Sequence, residues 1–160
     1  MGGTALDIRP ARTADEIDAA SLLFEAYAAS LPVGLEYQGF DTELADLPGK
    51  YASPEGELLI AWDEHGQAIG CVGLRPLIRG RHCEMKRLYV APEARGLGLG
   101  KALAKAIVEA ASERGYSELY LDTLPTMRSA ARMYETMGFR RIEPYYAPTP
   151  DGTIFMCLDL

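Results

Sequence analysis

The fold is decided by the stretch Val90-Ala91-Pro92-Glu93-Ala94-Arg95-Gly96-Leu97-Gly98-Leu99-Gly100-Lys101, in which a strand runs through a turn of three glycines into an amphipathic helix. Each glycine costs about 1 kcal/mol relative to alanine in a helix interior, so three of them at a helix start indicate a compensating use. Glycines let the backbone approach a bulky ligand, and the free N–H groups of a helix start favour an anion. The stretch therefore predicts a pyrophosphate site, with a flexible turn as the alternative.

Two common phosphate-binding motifs do not fit these residues. A Walker A loop needs glycine five positions before its Gly-Lys pair and Ser or Thr after it, where this chain has Arg95 and Ala102. A dinucleotide fingerprint needs the spacing G-x-G-x-x-G in a βαβ unit, whereas these glycines are spaced G-x-G-x-G after strands that look antiparallel. A nicotinamide-dependent enzyme is therefore a weak interpretation.

Two motifs resemble one enzyme family. Arg95-x-x-Gly98-x-Gly100 is similar to the R/Q-x-x-G-x-G/A signature of the GCN5-related N-acetyltransferases (GNAT), and residues 134–139 resemble the Y-E-x-x-G-F ending of that family. The resemblance covers most of residues 5–160. It implies a single GNAT-like domain over residues 1–160, of α/β (α+β) class, with a central mixed, mostly antiparallel sheet of six to seven strands and helices on both faces. The chain departs from the family at Met127, where many members carry asparagine.

The resemblance also implies acetyl-CoA as the acyl donor. Backbone groups of one strand would pair with the pantetheine arm, and amides of the glycine turn would hold the pyrophosphate. The cofactor-binding residues implied in this way are Leu88, Tyr89, Val90, Arg95, Gly96, Leu97, Gly98, Leu99, Gly100 and Lys101.

Acyl transfer to an amine requires a base, because an alkylammonium with a pKa of about 10.4 is only about one part in a thousand neutral near pH 7.4. Glu84 lies six residues before Val90, the offset at which histone-acetylating members carry a basic glutamate. The resemblance thus implies that Glu84 is the general base, acting directly or through water, with a pKa raised by partial burial to near 6–7. The alternative is a surface carboxylate paired with Lys86 or Arg87.

The departing sulfur needs a proton, and the resemblance implies that Tyr134 supplies it as general acid. Periodicity alone favours a different interpretation, a core tyrosine packed beside Met133 and Met137. Cys83 is a candidate acyl-carrying nucleophile, but no base stands next to it in the sequence, so direct transfer is simpler. His65 and His82 have no partner at metal-ligand spacing, and we expect both to be solvated and no metal to be needed.

Hydrophobic periodicity and the Gly and Pro positions predict the order β-α-(α)-βββ-α-β-α-ββ. The predicted strands cover residues 5–9, 58–62, 68–74, 84–90, 119–123, 140–145 and 154–158. The predicted helices cover about 14–30 after the N-cap Thr13, 42–47 within an irregular segment, 99–114 and 126–137.

Length and charge limit the function classes. The chain has 160 residues and a formal net charge of −7, so one domain is expected, and nucleic acid or a membrane surface is a poor partner. Three cysteines with wide spacing indicate free thiols. Without a recognisable targeting segment or membrane span, a cytoplasmic location is expected, and a homodimer is possible.

The acceptor is expected to be a primary amine of a small molecule or of a peptide or protein, and the acidic balance mildly favours a cationic one. The following aromatic residues are expected to form a wall of the acceptor site or, equally, ordinary core: Tyr37, Phe40, Tyr51, Tyr145 and Tyr146. The rival function is a non-catalytic acyl-CoA-binding sensor or scaffold. Such a module has no need of Glu84 and Tyr134.

Overall fold

The computed structural model describes residues 7–77 and 80–160. Its elements follow the order expected from the sequence, and their bounds are β1 Asp7–Pro10, α1 Ala14–Ser30, α2 Phe40–Ala45, β2 Glu57–Trp62, β3 Ala68–Pro76, β4 His82–Val90, α3 Leu99–Glu113, β5 Glu118–Thr123, α4 Arg128–Thr136, β6 Arg140–Ile142 and β7 Ile154–Asp159. The predicted start of the first strand at Ala5 lies outside the described residues. Among the described helices, none is long and apolar enough to span a membrane.

The seven strands form one sheet in the order β1-β2-β3-β4-β5-β7-β6. β4 and β5 are parallel and every other neighbouring pair is antiparallel, which confirms the predicted mixed, mostly antiparallel sheet. The expected strand at residues 140–145 was too long, since β6 ends at Ile142. Tyr145 and Tyr146 instead belong to the loop between β6 and β7.

Helices cover both faces of the sheet, as expected. α3 buries Leu103 and Ile107 against one face, whereas α1 and α2 bury Phe24 and Phe40 against the other. α1 begins where the sequence indicates, because Thr13 and Glu16 form a capping box that satisfies two backbone N–H groups at the helix start.

β4 carries the irregularity that shapes the site. Cys83 and Met85 pack in the core under α3, but farther along the strand the residues packed against that core are Leu88 and Val90, so the alternation shifts by one position. Arg87 is the inserted residue: its φ is 61°, and the register with β3 is broken opposite it. The bulge therefore leaves an extra side chain on the α1 side of the sheet.

The start of β2 is fixed by charge. Glu57 is 4% exposed, and its carboxylate accepts hydrogen bonds from the guanidinium groups of Arg12 at 2.6 and 3.0 Å and Arg114 at 2.7 Å. Burial alone would raise the pKa of Glu57, but the bonds from Arg12 and from the Leu58 amide lower it below the ordinary value. This carboxylate ties the loop before α1 and the end of α3 to the sheet.

Replacing Glu57 with glutamine should reduce the free energy of unfolding at pH 7 by about 1.5–3 kcal/mol, the usual range for hydrogen bonds to charged groups. Because the folded pKa of Glu57 is depressed, its contribution is present above the unfolded pKa of about 4.3 and is lost as pH falls through the folded value. Urea unfolding of both proteins from pH 7 to pH 3 measures this. A difference between them that does not shrink in acid would contradict the expectation.

Candidate active site

β4 and β5 are hydrogen-bonded over only three residue pairs, from His82 with Glu118 to Glu84 with Tyr120. Beyond Glu84 the two strands are no longer paired, so the β5 side of β4 is open. A groove of about 480 Å³ lies there, and it is lined by Leu88, Tyr89 and Val90 of β4 together with Arg95. The end of α1 and residues 126–130 form its other walls. Leu88, Tyr89, Val90 and Arg95 are among the residues that the sequence predicts at the cofactor site.

The glycine turn lies next to this groove and presents free donors. Gly96 and Gly98 have φ values of 86° and 75°, and a Cβ at either position would meet nothing within 4 Å. Within the described part of the chain, the backbone N–H groups of residues 96–101 donate to no protein acceptor. Arg95 closes one end, with its Nε donating to the Val90 carbonyl at 3.1 Å. An open helix start with unsatisfied amides fits a pyrophosphate.

A second cavity, of about 440 Å³, lies on the α1 side of the sheet around Glu84. Tyr37, Tyr145 and Tyr146 line it, as expected of the aromatic wall, and Tyr120 lines it without having been expected. Phe40 and Tyr51, by contrast, are buried in the core beneath α1, at 8% and 2% exposure. The aromatic wall is therefore made mainly by the loop before β7 and the turn before α2.

Glu84 is buried, at 1% exposure, and does not have the raised pKa that the sequence analysis expected. Burial alone would raise it, but the charges of Lys86 and Arg75 and a hydrogen bond from the Tyr145 hydroxyl lower the pKa of Glu84 below its ordinary value. Arg75 Nε donates to Glu84 Oε1 at 2.9 Å, and the Tyr145 hydroxyl donates to Oε2. Glu84 is thus ionised at neutral pH, and the surface-carboxylate alternative is also wrong.

Lys86 lies two residues along β4 and is 5% exposed. Its Nζ donates to Gln38 Oε1 at 3.0 Å and lies 3.5 Å from Asp122 Oδ1. Burial lowers the pKa of Lys86, while Glu84 and Asp122 act against that shift. The neighbouring carboxylates thus partly offset the desolvation of the ammonium group.

The bulge residue Arg87 is also buried, at 3% exposure. Its Nε and Nη2 donate to Glu43 at 2.9 and 3.0 Å, and its Nη1 donates to Gln38 Oε1 at 2.6 Å. Gln38 also donates from Nε2 to the Tyr146 hydroxyl at 3.0 Å. One amide side chain therefore links the turn before α2 to β4 and to the loop before β7.

A third, narrow cavity of about 30 Å³ lies between the cavity around Glu84 and the groove. It shares Tyr37, Gln38 and Lys86 with the larger cavity and Tyr27 and Leu31 with the groove. The narrow cavity therefore lies between the two larger spaces, and we call it the constriction. Asp122 lines this constriction.

Tyr134, on α4, is buried in the core that α3 covers, 6% exposed, with its ring centroid 5.6 Å from that of Phe139. It does not line the groove or either cavity as described above. Burial raises the pKa of Tyr134, and nearby Tyr27 and Asp122 raise it further. Both of those neighbours line the constriction.

The positions of Cys83 and His82 answer two further questions that the sequence raised. Cys83 is fully buried beneath α3, on the face away from the cavity, and burial raises the pKa of its thiol to about 12. It therefore does not have the properties of an acyl-carrying nucleophile. His82 was expected to be solvated, but it lines the cavity around Glu84, and its Nε2 lies 2.6 Å from Glu118 Oε1.

Sequence reasoning missed Arg75, Gln38 and Asp122. Arg75 reaches the site from β3 and Asp122 from β5, so their proximity to Glu84 depends on strand order. The alternation of His82, Glu84 and Lys86 in β4 was an available signal, because charged residues at every second position of a strand all face one side. No comparable pattern marks Gln38.

Comparison with known proteins gives one consistent result. A model described as the acetyltransferase (GNAT) family matches residues 21–139. An uncharacterised N-acetyltransferase of Schizosaccharomyces pombe is 40% identical over 160 residues, covering 100% of this chain and 98% of the relative. An uncharacterised N-acetyltransferase of Dictyostelium discoideum is 28% identical, covering 91% of this chain and 95% of the relative.

Solved structures agree on the fold. An acetyltransferase of the GNAT family from Staphylococcus aureus superimposes with a TM-score of 0.79 at 21% identity, covering 97% of this chain and 99% of that chain. At that level of identity, the likeness shows the fold and carries no information about the acceptor.

Proposed function

Because this chain belongs to the acetyltransferase (GNAT) family and is an N-acetyltransferase, we propose that it transfers an acetyl group from acetyl-CoA directly to a primary amine of a small molecule or peptide. The family uses an acyl-CoA donor. In the proposed complex, the groove and the glycine turn hold acetyl-CoA, and the cavity around Glu84 holds the acceptor.

One observation carries this assignment: the constriction shares lining residues with the Glu84 cavity on one side and with the groove on the other. Acetyl-CoA supplies an activated thioester. The backbone of Leu88 to Val90 binds the pantetheine arm, and the amides of residues 96–101 bind the pyrophosphate. The acetyl group then reaches the constriction from one side, and the amine enters from the other.

Glu84 is our candidate base. It remains ionised because Arg75 and Lys86 stabilise its charge, so its role is to attract and orient the ammonium and to accept its proton during attack, directly or through a water. A carboxylate with a depressed pKa is a weak base, which makes positioning a large part of this role. Glu84 therefore becomes protonated only at a pH below the range in which activity is assayed.

Tyr134 is our candidate donor to the leaving sulfur. A phenol is a weaker acid than an ordinary thiol of pKa about 8.5, and burial weakens Tyr134 further, so transfer to a free thiolate is uphill. Tyr134 therefore acts as a general acid while the carbon–sulfur bond breaks, when a hydrogen bond to the developing charge is strongest. The phenol is protonated at neutral pH at its ordinary pKa of about 10, and burial raises that pKa further.

The alternative, a non-catalytic acyl-CoA sensor, is less well supported. Maintaining buried, charged Glu84 and Lys86 beside an open cavity costs desolvation free energy, which a module that binds only acyl-CoA has no reason to maintain. Release of CoA from acetyl-CoA with an amine panel distinguishes the two functions.

Replacing Gly98 with aspartate should abolish CoA binding, because it puts a side chain and a negative charge where the diphosphate is proposed to lie. Gly66→Asp is the matched control: Gly66 has a φ of 76° against 75° for Gly98, with open space at both Cβ positions, but it lies in the β2–β3 turn. Calorimetric titration with CoA measures both variants. If Gly98→Asp bound CoA with wild-type affinity, the pyrophosphate would not lie at this turn.

Replacing Glu84 with glutamine should lower kcat by about 100-fold or more, the usual range for a lost base, with CoA affinity unchanged. Since the pKa of Glu84 is depressed, it stays deprotonated at neutral pH, and the wild-type rate should show no loss through its protonation between pH 6 and 7. Glu143→Gln, at an exposed position, controls for the lost charge. An unchanged kcat in Glu84→Gln would exclude Glu84 from the reaction.

Replacing Tyr134 with phenylalanine should lower turnover by about 100-fold while CoA binding stays nearly intact. Tyr116→Phe removes a hydroxyl whose partner is the Glu55 carbonyl, away from the site, and should keep full activity. Steady-state kinetics and a CoA titration of both variants test this. If the two variants turned over equally fast, Tyr134 would have only a packing role.

A further inference from the structure

The acceptor cavity has the size of a small-molecule site. Its volume of about 440 Å³ falls within the roughly 300–1,000 Å³ typical of such sites, and one end meets the constriction at Lys86. Leu77 and the rings of Tyr37, Tyr120, Tyr145 and Tyr146 supply apolar walls. The cavity therefore suits a compact acceptor with an apolar or aromatic side chain.

Among the described residues, Glu84 is the one carboxylate in the cavity wall, and the proposed reaction already assigns it to the amine that is acetylated. One of its oxygens is bound by Arg75 and the other by the Tyr145 hydroxyl, and the residue is 1% exposed. A polyamine, or a lysine with further positive charge around it, would find no accessible counterion here. The net charge of −7 acts at long range only and is screened over about 8 Å at physiological salt.

Arg75, by contrast, has donors to spare. A guanidinium carries five N–H donors, and in the described structure Arg75 uses one of them in a hydrogen bond, from Nε to Glu84. Its Nη1 lies 3.7 Å from Glu43, beyond hydrogen-bond distance, and its side chain is 23% exposed and lines both this cavity and a neighbouring one beside Glu43. Arg87 differs, since all three of its nitrogens are bonded and its side chain is 1% exposed.

The position of Arg75 also suits the reaction. Arg75 pairs with Glu84 across the β3–β4 register, and Lys86, two residues farther along β4, marks the constriction. In an α-amino acid, one carbon separates the amine from the carboxylate. A carboxylate bound at Arg75 therefore leaves the amine beside Glu84, on the path toward the constriction.

We propose that the acceptor is a free α-amino acid with an apolar or aromatic side chain, whose carboxylate is bound by the guanidinium of Arg75. This inference rests on the proposed acetyl transfer and specifies its substrate class. A guanidinium can bind a carboxylate through two parallel hydrogen bonds, because it presents two parallel N–H donors to the two carboxylate oxygens. An amide or a hydrogen in place of the carboxylate loses that interaction and leaves the Arg75 donors unpaired.

The test compares phenylalanine, leucine and methionine, each as the free acid, the amide and the decarboxylated amine, with Nα-acetyl-lysine amide and spermidine as cationic acceptors. With the wild-type protein and acetyl-CoA, at least one of the acids should exceed its own amide and amine by about 10- to 100-fold in kcat/KM, the range for a hydrogen bond between charged groups. An amide or amine that equals its acid, or a preference for the lysine derivative or spermidine, would overturn the proposal.

The variant Arg75→Gln distinguishes two roles of Arg75, binding the carboxylate of the acceptor and holding Glu84 by a hydrogen bond. The variant should raise KM for the acid by about 10- to 100-fold and abolish the acid-over-amide preference, whereas any change in kcat that acid and amide share reports the loss of support for Glu84. Equal losses for acid and amide would show that Arg75 acts only by holding Glu84. Arg81→Gln is the control, because Arg81 binds the Gly115 carbonyl on the surface and should keep the wild-type preference.

Binding of the same acids and amides to the protein–CoA complex, measured by calorimetry, distinguishes the two levels of proposal. One outcome is that no acceptor is acetylated but an acid binds at least tenfold more tightly than its amide. The proposed acetyl transfer to these amines would then be wrong, whereas the proposed binding of the carboxylate by Arg75 would be supported. If none of the three acids binds or is acetylated, or acid and amide bind equally, the amino-acid class is overturned.

Discussion

The separation of β4 from β5 after Glu84 is the constraint on which the rest of the site depends. Three residue pairs hold the strands together, and the bulge at Arg87 then turns β4 so that its backbone faces open space. An unpaired strand in the middle of a sheet exposes N–H and C=O groups that favour a partner, here an extended ligand. The groove lies at this separation and shares Tyr27 and Leu31 with the constriction, so in the proposed complex donor and acceptor approach the constriction from its two ends.

The charges near this separation are arranged in compensating pairs. Glu43, Glu84 and Asp122 face Arg75, Lys86 and Arg87, so three carboxylates meet three cations in a poorly solvated region. Isolated charges at such burial would be strongly destabilising, whereas hydrogen-bonded pairs are tolerated. Gln38 joins the network by accepting from both Lys86 and Arg87. The turn before α2 is therefore held over the constriction by the charges that the site needs.

The sequence predicted most of the fold because the residues that begin and end its helices act locally. The Thr13 cap, the glycine turn and Gly115 mark helix ends through backbone geometry that neighbouring residues determine. The site was less predictable because it is assembled from distant strands. Charged residues alternating in β4 look like a solvated strand face, and only the turn before α2 and the loop before β7 make that face an interior one. The pKa of Glu84 was expected to rise through partial burial, because the sequence did not show that Arg75 on β3 would be its partner.

Arg75 then connects substrate binding with the strength of the base. In the free protein, its positive charge stabilises the ionised form of Glu84 and so keeps that carboxylate a weak base. A substrate carboxylate on the remaining donors of Arg75 shares that positive charge and adds a negative one near Glu84, and both effects raise the proton affinity of Glu84. In the proposed binding mode, the acceptor thereby strengthens the base that is to receive its own proton. An amine without a carboxylate would leave Glu84 as weak as in the empty site, so recognition and reactivity would be lost together.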